Sequence, residues 1–250
     1  PIILVLREPE RWRLAKQQAR ASGHASQHIG SIPDLFRHPV WRRNLLVGVF
    51  LGLAGMAGLW GIGFFSFDLL NSVFDKYFRA QGLPEHIIAG KKTFWTGVTS
   101  LLQNGGAFFG IYAFTRLTHY TGRRKAFALS FVAAMLTTAS VFWFLNDFHQ
   151  IFWMIPLMGF SQLALFGGYA IYLPELFPTR LRSTGTSFCY NVGRFVAAGG
   201  PLTLGLLTSR VYAGTPEPMW YAGVTMCLVF LLGLAVLPFA PETKGKPLPE

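Results

Sequence analysis

The chain has 250 residues, 52% apolar and 13% charged, against about 25% charged in ordinary soluble domains. Its net charge of +11 would suit a nucleic-acid binder, but the basic residues fall in gaps between apolar runs and form no patch beside stacking-competent surface. An ordinary soluble domain and a nucleic-acid partner are thereby set aside, and a membrane protein is the default reading.

In chain order, residues 1–6 are apolar and Arg7-Glu8-Pro9-Glu10-Arg11-Trp12 follow at once. Residues 1–12 therefore read as the end of an apolar helix, with a missing N-terminal part expected before it. Residues 13–43 read as a linker. Six windows then reach the ~20 apolar residues that a membrane helix needs. Asn44 to Phe67, Thr93 to Thr115, Ala126 to Asn146, Gln150 to Pro174 and Pro218 to Pro241 are uncharged throughout, and Ser183 to Ser209 is interrupted only by Arg194. The bundle is expected over 44–241, with 68–92 as a loop on one side and 242–250 as a tail. Sixteen Lys/Arg fall on the linker side and five on the other, which places the linker and the C-terminus in the cytoplasm.

Residues 172–185 form a charged hinge between two of these windows. Glu175 sits at the end of one span, and Arg180 and Arg182 follow five and seven residues later. A carboxylate there can accept two bonds from one arginine, either in the hinge or in the loop holding Arg123 and Arg124. Such a pair, broken and remade, would gate the bundle. The alternative is a set of solvated loop charges contributing ~0–1 kcal/mol.

Arg194 lies twelve residues past Arg182, ~18 Å along a helix and near the middle of a ~30 Å core. A central arginine costs at least ~2.5–3.5 kcal/mol, so it must face a cavity or a partner. Either it binds an anionic group of a solute, or it forms a fixed pair; Asp68, at the outer edge of its span, is the one acid at hand. Tyr190 and Asn191 share its helix face at spacings of four and three. Gly199-Gly200-Pro201 should kink this helix. Gln103 and Asn104, at mid-span, either line the cavity or bond a neighbouring helix. Trp60, among glycines, either stacks on a solute or packs in the core. Gln162, seven residues before Tyr169, is a further cavity candidate. Gly48, Gly52 and Gly55 read as a packing stripe, and Cys189 and Cys227 as small packed hydrophobes. No catalytic constellation, metal spacing or cofactor motif is evident.

Four motifs, in order, resemble the major facilitator superfamily, in particular its sugar-porter and metabolite:proton symporter branches. Arg7-Glu8-Pro9-Glu10-Arg11-Trp12 is similar to the motif after the sixth helix of that family. Gly122-Arg123-Arg124-Lys125 resembles the end of the loop between helices eight and nine, with His119-Tyr120 where the family usually has Asp-Arg. The hinge 172–185 resembles the loop between helices ten and eleven, and Pro241-Glu242-Thr243-Lys244-Gly245 the tail after helix twelve. The resemblance implies an all-α membrane protein: a six-helix bundle equivalent to helices seven to twelve, plus the end of helix six. It implies secondary transport of a small organic solute by alternating access across the inner or plasma membrane, together with a missing six-helix half. It also implies an intracellular charge network that latches and releases. Organic-anion carriers of the superfamily often carry an arginine in helix eleven, which favours an anion or carboxylate at Arg194. A sugar or polyol porter, and a non-transporting membrane sensor, remain alternatives. Proton coupling stays open, because these spans show no central carboxylate.

Overall fold

The computed structural model describes Arg13 and residues 30–249, without the side chain of Phe64. The helix end expected over 1–12, and linker residues 14–29, lie outside the described residues. The described residues are helical, with no strand among them. That follows from the sequence: in lipid each backbone polar group must be satisfied within its own segment, and these long apolar runs offer a helix as the means.

A short helix, α1 (Ile32–Arg37), starts at Ser31, whose hydroxyl accepts from the Asp34 amide, with Pro33 in the first turn. Extended His38 (φ −82°, ψ 122°) ends it. Six long helical rods follow. The first is α2 (Pro39–Met56), a π-helical turn (Ala57–Ile62), a 3-10 turn (Gly63–Phe65) and α3 (Ser66–Ala80). The second is α4 (Glu85–Thr121) and the third α5 (Arg123–Phe144). The fourth joins a 3-10 turn (Phe148–Gln150) to α6 (Ile151–Glu175). The fifth is α7 (Arg182–Ala197), α8 (Gly200–Leu206) and a π turn (Leu207–Val211). The sixth is α9 (Pro218–Met226), α10 (Val229–Val236) and a 3-10 turn (Leu237–Phe239).

Each of the six expected windows thus lies in a rod to within two residues. Four rods (the first, third, fourth and sixth) are long and apolar enough to cross a membrane. The second and fifth fall short: the uncharged stretch of α4 holds Gln103, Asn104 and several Gly and Thr residues that lower its mean hydropathy, and α7, at 16 residues, is short and carries Arg182 and Arg194. The loop expected over 68–92 is corrected. Most of it is helix, broken only around residues 81–84. Four of its charges pair on helix faces: Asp75 accepts from Arg79 at 2.5 Å and from Lys92 at 3.0 Å, and Arg79 also meets Glu85 at 2.5 Å. Charge marks where a helix leaves the hydrocarbon and does not itself end the helix.

Small residues set the closest helix contacts. Gly106 and Gly110 of α4 lie on the backbone at Pro156 and Phe160 of α6, leaving no room for a Cβ at either position. Gly48 of α2 is placed so that a Cβ would stand 2.7 Å from the Cys189 sulfur of α7, the role expected for that stripe. Both cysteines are buried and unpaired. Phe127 centres one aromatic cluster, with Phe114, Phe131, Tyr169 and Tyr172 around it. Phe148 centres another, with Phe74, Tyr77, Phe78, Trp95 and Phe152.

Candidate functional site

Two sites carry the polar chemistry. The first lies where α5 begins and α6 ends. Arg123 grips Glu175 with both arms: Nε donates to Oε2 at 3.0 Å and Nη2 to Oε1 at 2.7 Å. Its third nitrogen donates to the Thr118 hydroxyl at 3.2 Å, and the Thr243 hydroxyl donates to Glu175 at 2.5 Å. Both charged side chains are less than one-fifth exposed, so this pair is screened less than a surface pair.

Glu242 completes the cluster from the C-terminal tail. Its carboxylate accepts from the backbone N–H groups of Arg123 (2.9 Å) and Arg124 (3.1 Å), the first two residues of α5. A carboxylate at a helix N-terminus meets unsatisfied amides and the positive end of the helix dipole. Gly122 precedes it at φ +90°, a conformation that L side chains rarely adopt. Partial burial pushes the Glu242 carboxyl up. The amides of Arg123, Lys244, Arg124 and Thr243 together outweigh that and hold it below its ordinary value. Lys244 then reaches back to the Tyr120 carbonyl at 2.8 Å. Tyr172 donates to the Pro241 carbonyl at 2.7 Å.

The other basic candidates of the hinge are engaged elsewhere. Arg124 donates to the Leu237 and Pro238 carbonyls. Arg180 pairs with Asp34 of α1 at 3.0 Å, and Arg182 donates to the Pro174 carbonyl at 3.0 Å. Of the two partners left open for Glu175, the structure places Arg123 on it. The reason is geometric: α5 starts beside the end of α6, whereas Arg180 is drawn sideways to α1. Asp34, Thr118, Glu242 and Thr243 were not singled out from sequence. Only Glu242 and Thr243 had a signal, the tail motif.

The second site is the exposed face around Arg194. Its guanidinium carbon lies 5.7 Å from the Trp60 ring and 6.0 Å from the Tyr190 ring. Both contacts fit cation–π attraction. Trp60, 47% exposed, belongs to the π-helical turn. Asn191 is on the same exposed face, with its amide turned back to the Ser187 carbonyl at 2.8 Å. No carboxylate pairs with Arg194 among the described residues, so the fixed pair with Asp68 is not formed. The rod breaks at Ala198 and Gly199, where the glycines and Pro201 pointed.

Three further cavity candidates, Gln103 and Asn104 from their mid-span depth and Gln162 from its spacing to Tyr169, have different surroundings in the structure. Gln162 is 1% exposed. Its amide nitrogen donates to the Thr138 hydroxyl at 2.8 Å and, more weakly, to the Gly58 carbonyl at 3.5 Å, while its Oε1 has no partner among the described residues. Gln103 is buried against Gly159 of α6. Asn104 is exposed and bonds the Ser100 carbonyl of its own helix. Tyr169, like Gln162, faces inward, donating to the Leu51 carbonyl at 2.7 Å.

The description "Sugar (and other) transporter" fits residues 49–244 of the chain, a stretch containing both sites. The chain belongs to this transporter family. It is thereby a multi-pass membrane protein of the major facilitator kind, and not an enzyme. It is 32% identical to the probable 4-methylmuconolactone transporter of Cupriavidus pinatubonensis over 59% of this chain and 33% of that protein. It is 29% identical to human solute carrier family 22 member 11 over 88% of this chain and 35% of the relative. The cis,cis-muconate transport protein of Acinetobacter baylyi is 34% identical over 35% of this chain and 21% of its own length. The chain thus covers about a third of the first two relatives.

Proposed function

We propose that the whole protein is a secondary transporter of small organic anions, carboxylates above all, working by alternating access between this six-helix bundle and a second half. The observation that carries the proposal is Arg194: an exposed guanidinium set against the Trp60 and Tyr190 rings, with no carboxylate paired to it among the described residues. Such a group is stabilised by an incoming carboxylate, which can accept two parallel bonds from it. Trp60 and Tyr190 would flank the anion and suit a flat, conjugated body. The relatives' names support the same class, since muconate is a conjugated dicarboxylate.

In this reading the Arg123–Glu175–Thr243 cluster is the cytoplasmic latch. It ties the third rod, the fourth rod and the tail in one state and lets go in the other. Arg124, Arg180 and Arg182 would brace its surroundings. The positive-inside bias supports the cytoplasmic placement of the linker and tail. Any proton coupling would draw its carboxylate from the other half. The sugar-porter-like tail motif does not argue for a sugar, because Glu242 and Thr243 act here on the latch and not on the Arg194 face.

The test is uptake by cells expressing the full-length protein, wild type against Arg194→Gln and Arg194→Lys. Uptake of a conjugated dicarboxylate should collapse in the glutamine variant and be partly kept by lysine. Unimpaired carboxylate uptake in Arg194→Gln would refute the reading.

A further inference from the structure

α1 has two unlike faces. One is docked: Leu35 is fully buried, Asp34 pairs with Arg180, and Gly30 ties to the hinge through its amide to the Arg180 carbonyl and its carbonyl to Thr184. The other is open and apolar. Ile32 and Phe36, four residues apart, are 49% and 43% exposed, and Val40, at the start of α2, is 51% exposed. Phe36 meets the bundle in an edge-to-face contact with Phe188.

Basic residues flank this apolar strip. Arg37 and Arg42 are exposed and form no ion pair among the described residues. Arg43 is anchored to the Phe239 carbonyl, the base of the sixth rod. Trp41 stacks on His38 between them, as an aromatic does where a helix leaves the hydrocarbon. Above the arginines, the exposed side of α2 continues as Leu46 and Phe50, in a rod long and apolar enough to span a bilayer. The open strip therefore runs on from a lipid-length apolar surface and ends in positive charge without an ion pair among the described residues.

We infer that Ile32, Phe36 and Val40, with Arg37 and Arg42, form a docking surface for anionic phospholipid at the membrane surface. The apolar side chains lie among the upper acyl carbons and the two guanidiniums bind headgroup phosphates. Arginine suits this position because its stem packs on apolar surface while its planar head bonds phosphate. A protein segment covering the same strip would need carboxylates opposite Arg37 and Arg42. Asp34, the acid within α1, is turned away to Arg180. By holding α1 at the interface, bound lipid would also hold its docked face on the hinge.

The test uses the full-length protein in vesicles of phosphatidylcholine containing phosphatidylglycerol. Lipid retained after mild detergent extraction is counted by native mass spectrometry. About five-fold in preference per arginine predicts roughly a 25-fold loss of phosphatidylglycerol over phosphatidylcholine in the Arg37→Gln/Arg42→Gln variant. Arg37→Lys/Arg42→Lys should keep most of it, and Lys125→Gln, elsewhere at the same end, should keep all of it. Equal phosphatidylglycerol retention by wild type and the double glutamine variant would overturn the proposal. A nitroxide on Ile32→Cys gives an independent readout. It should be open to oxygen and shielded from a water-soluble nickel relaxant. Exposure to nickel would mean a solvated strip, and shielding from both would mean a protein cover; either result overturns the proposal.

Discussion

The Glu175 cluster and the Arg194 face handle charge in opposite ways. At the cluster every partner comes from this chain: Glu175 receives Arg123 and Thr243, and Glu242 receives four backbone amides. At the Arg194 face the positive charge meets the rings of Trp60 and Tyr190 and, among the described residues, no carboxylate. A set of charges complete within one chain is a structural tie, whose breaking costs stability. If Arg194 is the proposed anion site, losing its charge should cost binding and spare the fold. Substitutions can separate these two kinds of cost.

The largest expected effect is at Arg194. A hydrogen bond to a charged group contributes about 1.5–3 kcal/mol, so Arg194→Gln should weaken carboxylate binding roughly ten- to 150-fold with little change in thermal stability. A large drop in melting temperature, measured in detergent, would place Arg194 with the structural ties and erase the contrast. Next is Glu175→Gln, which leaves the Arg123 guanidinium partly buried and unpaired. We expect about 1.5–3 kcal/mol of destabilisation of this end, read as faster hydrogen exchange at the start of α5.

Glu242→Gln should cost less, about 1 kcal/mol, because the amide keeps one acceptor oxygen for the helix amides and loses the charge and the second acceptor. Its pH behaviour has a definite sign. The folded group titrates below its ordinary value, so its stabilisation is fully present above that ordinary range and is lost as pH falls through the depressed folded value. The wild-type melting temperature should therefore fall faster than that of Glu242→Gln on acidification, and parallel curves would speak against the carboxylate cap. The smallest effect is expected at Trp60→Leu. Loss of one ring face should change carboxylate affinity by about 0.5–1 kcal/mol, a few-fold, in titration of the purified protein.

The fold was largely legible because membrane helices announce themselves by length and apolarity, and each of the six windows lies in a rod to within two residues. The loop expected over 68–92 failed for a physical reason. Asp75, Lys76 and Arg79 belong to a helix that outruns the hydrocarbon, and helical hydrogen bonds do not stop where charge begins. The sites were legible in part. Tyr190, Asn191 and Arg194 share a face because that depends on helical spacing within one element. Gln103 and Gln162 are enclosed, since burial depends on which neighbour packs on which side, and Gly159 or Gly58 on another rod decides it. The choice of Arg123 for Glu175 spans 52 residues of sequence. Only tertiary packing makes it, and local charge pattern left both partners open. The π-helical turn carrying Trp60 had no signal beyond a run of glycines.

The central claim is that Arg194 awaits an anion. Its most direct test is the dissociation constant of a conjugated dicarboxylate and of its uncharged dimethyl ester, measured on the purified full-length protein with and without Arg194→Gln. The account predicts that wild type binds the dicarboxylate at least about ten-fold more tightly than the variant does, while the ester binds both alike. Equal dicarboxylate affinity in the two proteins, or an equal loss for ester and acid, would contradict it.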